Sequence, residues 1–490
     1  MITDALGIFP IVVFDKLDSW DSLLKLGQPD FDKRGLARLK PLLKADCRCV
    51  IIEKQYIDKD YRDTFSQFHS KRFSTPSSRC LRLHFFSHAV TESEIVAAKP
   101  EAVGSYLGYA VIRPTKPNCV GRTLLSHHLR TEKVAHLSHC SEEVTLLGSR
   151  LRVDGFPFIS QDADATVCAE SALWMLLRYY SNKYPWYSEI LPFQITSLAA
   201  HHATGKRIYP SSGLYSWQCA EALRLQHFSP VVYSRKQYEQ FDHLLYTYIE
   251  SGVPLLLTTK RHVIVAYGHS SRYDKPRRVS WPNFTYSSHF NEAYVISDDN
   301  YSPYQMLRSG GKKRAGDSKF KWSEIEEFIV PLPERVFLPA EQARIAIEFI
   351  LKNKYVGISA QSPLLAGKNL VLRLFLTTSK SLKRGLSSRG MGSVIVQQVY
   401  RRLPMPHFIW VCEIAEYSEY AKDRKVRGEV LWDATRNALE PDGWIALHYP
   451  EKLLVDVGAA FNQRQKLESF PLDSNSSYSL FVSNLHSLPS

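Results

Sequence analysis

Residues 161–180 read QDADATVCAESALWMLLRYY, and this stretch decides how the chain is built. Thr166 fits an N-cap, and from there Ala169, Ala172, Leu173, Leu176 and Tyr180 recur at helical spacing to give one apolar face. The spacing predicts a helix with Cys168 in its first turn. A thiol placed there feels the positive end of the helix dipole, and a neighbouring imidazolium can bring a cysteine pKa to about 3.5 to 7.5. Gln161 precedes the cysteine, so a nucleophile and a side-chain amide donor come from one short segment.

Downstream, SGLYS at 212–216 opens a second helix, with Ser216 as cap and Ala220, Ala222 and Leu223 on its inner face. Ser234 and Gln237 fit a capping box ahead of a stripe of Phe241, Leu244, Leu245, Tyr248 and Ile249. The runs GVPLLLTT (252–259), HVIVAYG (262–268) and AYVISDD (293–299) predict strands. If the last two pair as an antiparallel hairpin, the first residue of one meets the last of the other, and His262 meets Asp298. Their connection, 270–292, is too long for a tight turn and reads as a surface loop near the site.

Gln161, Cys168, His262 and Asp298 together supply the parts of a thiolate acyl-transfer site. The thiolate attacks, and His262 protonates the leaving amine and then activates water. Asp298 fixes the imidazole tautomer. The Gln161 amide and the Cys168 backbone N–H stabilise the oxyanion, one such donor being worth about 2.7 to 4 kcal/mol. Singly, each residue has an ordinary reading: a small buried hydrophobe for Cys168, a surface amide for Gln161, a structural histidine, a strand-end cap. Their joint order, with helix and strand contexts that fit the roles, carries the catalytic one.

The segments Gln161 to Arg178, SGLYSWQCAEALRL, GVPLLLTTKRHVIVAYGH and AYVISDD resemble the papain-like superfamily, in particular the bacteriocin-processing peptidases that trim double-glycine leaders and their stand-alone relatives. The resemblance covers about residues 156–300 and implies a Cys168–His262–Asp298 triad with Gln161 at the oxyanion. It departs from that family in three places: Ala169 where glycine is usual, one extra residue between Gln161 and Cys168, and Asp299 where proline is common. Asp299 or Asn300 therefore stands beside Asp298 as an orienting group. No leader or transporter ATPase motif accompanies the likeness.

The expected fold class is α+β: a papain-like cysteine peptidase core over 156–332, an N-terminal α+β domain over 1–155 and a C-terminal α+β domain over 333–490. In the first, Leu81 to Phe86 and Tyr106 to Ile112 read as strands, and Arg113 and Arg122 as surface or salt-bridged cations. In the last, a helix in RVFLPAEQARIAIEFILKNK and strands in NLVLRLFLTT, PHFIWVCEIAEY, RGEVLWDAT and GWIALHYP are expected. The basic run at 307–322 reads as an exposed boundary loop.

Composition bounds these readings. The 490 residues carry a formal net charge of +13, which suits an acidic partner, but no nucleic-acid-binding signature accompanies it. The N-terminal stretch lacks a basic leader, and no run of about 18 apolar residues occurs, so neither a secretory signal nor a membrane span is expected. Eight scattered cysteines imply a reducing, cytoplasmic setting, and Cys47 with Cys49 reads as a strand pair rather than half a metal site. No cofactor or metal is expected. The favoured function is a thiol peptidase or isopeptidase acting on a protein or peptide substrate. A transglutaminase-like acyl transferase and an inactive papain-like peptide-binding module are the alternatives, and the oligomeric state is not legible.

Overall fold

The computed structural model describes residues 2–3, 11–14, 33–115, 120–130, 132, 136–162, 167–200, 214–273, 283–310, 313–391, 393–437, 443–458, 466–473 and 477–482. Thr166, the expected cap, lies outside them. The fold is mixed α+β and built on open sheets.

The first sheet is an antiparallel meander in chain order: β1 (Ile2–Thr3), β2 (Ile11–Phe14), β3 (Cys49–Tyr56), β4 (Cys80–Phe86), β5 (Tyr106–Ile112) and β6 (Val120–Leu125). Side chains alternate between its faces. Val50, Ile52, Leu83, Phe85 and Ala110 point into one core, and Cys49, Ile51, Tyr109 and Val111 into another. A short strand β7 (His136–Leu137) and a hairpin of β8 (Cys140–Leu146) and β9 (Ser149–Gly155) follow, the hairpin covering the second face with Val144, Leu146, Leu151 and Val153. Arg113 is buried against the Ser160 carbonyl at 2.8 Å, and Arg122 pairs with Asp60 and Glu189.

The central sheet takes β10 (Phe228–Ser234), β11 (Leu255–Thr258), β12 (Val263–Ser271), β14 (Asn291–Ser297), β15 (Gln305–Arg308) and β16 (Glu327–Pro333) in the order β10-β16-β11-β12-β14-β15, and β7 extends the β11 edge of β12. Gly268 permits that approach, because a Cβ there would stand 2.6 Å from the His136 carbonyl oxygen. Helix α1 (Cys168–Lys183) packs on one face with Val263, Val265, Tyr267 and Val295, and helix α2 (Phe241–Glu250) on the other with Ile264, Ala266, Tyr294 and Ile296. Strands buried on both faces need continuous apolar runs, as these have. Instead of a single apolar stripe, α1 is buried nearly all round, from Ala169 to Leu177, because its core is shared with Leu39, Val50 and Phe85 of the N-terminal region.

Two helix starts differ from expectation. Ser234 ends β10 instead of capping a helix, because Val231, Val232 and Tyr233 pair with Val330, Ile329 and Phe328 of β16. Helix Ser216–Arg224 is capped one residue earlier, by Tyr215, whose backbone N–H donates to Gln218 Oε1 at 2.9 Å.

The third sheet runs β13-β17-β18-β20-β21-β22-β23, from β13 (Thr285–Tyr286), β17 (Leu370–Thr378), β18 (Phe408–Glu416), β20 (Gly428–Asp433), β21 (Trp444–Tyr449), β22 (Lys452–Asp456) and β23 (Leu467–Pro471); β19 (Lys425–Val426) pairs apart with β24 (Tyr478–Ser479). Leu372, Leu374, Trp410 and Cys412 share the core of α2. The described part of the 270–292 connection is not a free surface loop: Thr285 is buried and pairs in parallel with Val371. A buried ionic chain also joins the sheets. Arg373 bonds Glu250 at the end of α2 and Glu413 at 2.7 Å, and Arg389 bonds Glu413 and Glu429, each at 2.7 Å. No described helix is long and apolar enough to cross a membrane.

Candidate active site

Cys168 is the first residue of α1. Val167 precedes it in an extended conformation (φ −103°, ψ −177°) and has no side-chain acceptor to offer the first turn. The Val167 side chain thus claims none of the N–H groups there. Cys168 is half-buried, whereas Cys47, Cys49, Cys80, Cys140, Cys219 and Cys412 are all buried. Burial pushes the thiols of Cys47 and Cys140 up to about 12, and those of Cys80, Cys219 and Cys412 also upward. Cys119 lies outside the described residues.

His262 sits in the tight turn between β11 and β12. Its carbonyl accepts from Thr259 N–H at 2.9 Å, and its own N–H donates to Thr259 Oγ1 at 3.1 Å. The ring Nε2 donates to Asp298 Oδ1 at 2.9 Å and stands 3.3 Å from Asp299 Oδ1. The Cys168 side chain lies near enough to favour the charged form of the ring. Burial alone would lower the imidazole pKa, but Asp298, Asp299 and Cys168 outweigh it and push it up to about 12.

Asp298 and Asp299 follow directly after β14, and both are fully buried. Asp298 Oδ1 also accepts from Asn300 N–H at 3.0 Å, a turn that fixes the carboxylate without help from a strand partner. Burial raises the Asp299 pKa, with His262 pulling the other way. Asn300 bridges to the last expected member: its Oδ1 accepts from Gln161 Nε2 at 2.6 Å, and its Nδ2 lies 3.4 Å from His262 Nε2. Gln161, His262 and Asp298 are therefore linked through Asn300, and Cys168 stands near the imidazole. The register differs from an end-to-end match, since Val265 faces Ser297 and a bulge falls between Ala266 and Gly268. His262 reaches Asp298 from the turn, not as its strand partner.

One neighbour was invisible in the sequence. The Phe320 ring stacks on His262 with centroids 5.4 Å apart and planes 23° from parallel. Phe320 belongs to the basic run expected to be an exposed boundary loop. Residues 313–316 are exposed, but Arg308 ties that run down through Glu132, Glu292 and Asp317.

Two sets of donors come close enough to share a cation, each with its donor atoms within 4.8 Å of one another: His262 with Asp298 and Asp299, and His136 with Glu250 and His269. In the second, the Arg373 guanidinium already lies on Glu250, and positive charge is supplied without a metal. Comparison with family models, with curated proteins and with solved structures returned no match to this chain.

Proposed function

We propose that this protein is a cysteine-type peptidase that cleaves a peptide or isopeptide bond, with Cys168 as nucleophile, His262 as acid and base, and Asp298 as the group that orients the imidazole. The observation that carries this reading is His262, hydrogen-bonded to a buried carboxylate, with the half-buried thiol at a helix start near enough to favour the charged imidazole. With Nε2 given to Asp298, Nδ1 is the nitrogen left to serve the thiol in this mechanism. The thiolate adds to the carbonyl carbon and forms a C–S bond. The imidazolium then hands its proton to the leaving amine as the C–N bond breaks, and the neutral ring takes a proton from the water that hydrolyses the thioester.

The place of Cys168 at the start of α1, after a cap residue with no side-chain acceptor, supports its N–H as one oxyanion donor, and Gln161, held by Asn300, supplies the other. In architecture, a nucleophile-bearing helix packed on an antiparallel sheet that carries base and acid supports a papain-like core. The substrate is a protein or peptide, and exposed Lys260, Arg261, Lys319 and Lys321, which flank His262 and Phe320 in the chain, favour an acidic one. The described cysteines, scattered through the chain and mostly buried, fit a reducing, cytoplasmic setting.

The test is site-resolved labelling with iodoacetamide at near-neutral pH. Cys168 should be modified well before the buried cysteines, and His262→Ala should slow it. Equal labelling of all thiols would discard the peptidase in favour of a binding module. Once a substrate is captured, product capped by an added primary amine in place of water would convert the reading to an acyl transferase.

A further inference from the structure

Asp299 is the member of this centre that the hydrolytic chemistry does not use. Its side chain is about as buried as a side chain can be, 1% exposed, and neither carboxylate oxygen has a hydrogen-bond partner among the described residues. The Nε2 proton of His262 points at Asp298, so Asp299, at 3.3 Å, feels attraction without a directed hydrogen bond. The second oxygen of Asp298 is also without a partner among the described residues. Two buried carboxylates face one imidazolium, and Arg38, which donates to the backbone oxygen of Asp299 at 3.1 Å, adds its charge to the attraction without a hydrogen bond to either carboxylate oxygen of Asp299. A buried carboxylate left this way is costly unless something positive joins it.

The spacing says what fits. Two ligands held at about 2.0 to 2.1 Å by one tetrahedral ion stand about 3.3 Å apart. His262 Nε2 and Asp299 Oδ1 have that separation, which is long for a good hydrogen bond. His262 Nε2 and Asp298 Oδ1, at 2.9 Å, need to open by only a few tenths of an ångström. One imidazole with two carboxylates is a nitrogen and oxygen set that suits small divalent transition ions.

We propose that His262, Asp298 and Asp299 form a binding site for a small divalent transition ion, with zinc the best match, and that the bound ion switches off the thiol centre. The switching clause rests on the peptidase reading; the binding clause does not. The ion takes the Nε2 lone pair, and the Nε2 proton leaves to solvent. The ring then has no free lone pair while Nδ1 keeps its proton, so it cannot take a proton from the deacylating water. The ion and the working imidazolium exclude each other.

The test uses the full chain carrying Cys168→Ser, which removes the thiol as a ligand, after stripping with a chelator. Equilibrium dialysis against Zn²⁺ should show one ion per chain, and Ca²⁺ should not compete. Adding Asp299→Asn should weaken Zn²⁺ at least about tenfold. Equal affinity with and without Asp299→Asn, or no binding in the Cys168→Ser chain, overturns the proposal. Should Asp299→Asn melt early, His262→Ala serves in its place, and retained tight binding there overturns the proposal equally. Zinc should also abolish turnover of the wild-type protein on a captured substrate, and full turnover with one zinc bound per chain overturns the switching clause. Labelling of metal-free wild-type Cys168 is independent of all this, so failure of the thiol reading and failure of the ion site are separable.

Discussion

His262 Nε2 and Asp298 Oδ1 are 2.9 Å apart across 36 residues of chain, and the carboxylate is held for the contact by Asn300 N–H. The acid is thus oriented by its own turn. In this arrangement Asp298→Asn keeps the size of the side chain but offers the imidazole an amide in place of a charge. Cys168 alkylation should slow, and turnover on a captured substrate should fall by about 10²- to 10⁴-fold. An Asp298→Asn protein with wild-type labelling would remove Asp298 from the mechanism.

The raised imidazole pKa has a signature in stability. Ordinary histidine titrates near 6.5, and His262 in the folded chain near 12, so between those values the native state holds a proton that the unfolded chain has released. Its contribution is complete below about pH 6.5 and is lost as pH rises toward about 12. Chemical denaturation across that window should show a falling midpoint, and His262→Asn should flatten the slope.

Acid acts with the opposite sign through other histidines. Burial lowers His127 to about 4 and His243 and His448 to about 3. Below pH 6.5 the unfolded chain binds protons that these rings refuse, and each subtracts up to about 1.4 kcal/mol per pH unit. Replacing His448 by Gln should shift the acid midpoint downward.

Arg373 shows how the third sheet is fastened. Its side chain is 3% exposed and joins Glu250 to Glu413, both fully buried. Arg373→Met should cost about 3 to 5 kcal/mol, because it takes a buried cation from both carboxylates and leaves Glu250 to His269 and Glu413 to Arg389. Thermal unfolding checks this, and adding Glu413→Gln should recover part of the loss.

The cations beside the site give a prediction without any substrate. Exposed Lys319 and Lys321 flank Phe320, and Lys260 and Arg261 precede His262. Anionic iodoacetate should therefore react with Cys168 faster, relative to neutral iodoacetamide, at low salt than at high salt. Lys319→Glu with Lys321→Glu should lower that ratio, and an unchanged ratio would detach the basic residues from the site.

Phe320→Ala should shift the His262 ring-proton resonances by removing the stacked ring, at a stability cost of about 1 kcal/mol. Unmoved resonances would show that the stack does not form in solution.

The sequence by itself determined the local elements around the site, and much of the set that meets there. Periodicity placed Cys168 in the first turn of a helix, and the apolar runs marked β11, β12 and β14, because side-chain alternation and helical spacing are properties of contiguous residues. Where local signals compete, the sequence misled: the Ser234 and Gln237 pattern is a good cap, but pairing of β10 with β16 overrode it. Only the tertiary structure put Asp298 Oδ1 nearest His262 Nε2, at 2.9 Å against 3.3 Å for Asp299 Oδ1 and 3.4 Å for Asn300 Nδ2, since three consecutive polar residues after a strand differ only in where one turn aims them. Only it put Phe320 over the imidazole and Gln161 on Asn300, contacts across 58 and 139 residues that no spacing rule encodes. These depend on strand order, on a bulge at Ala266 and Gly268 and on a basic loop pinned by Arg308, and such features exist only once the layers have packed.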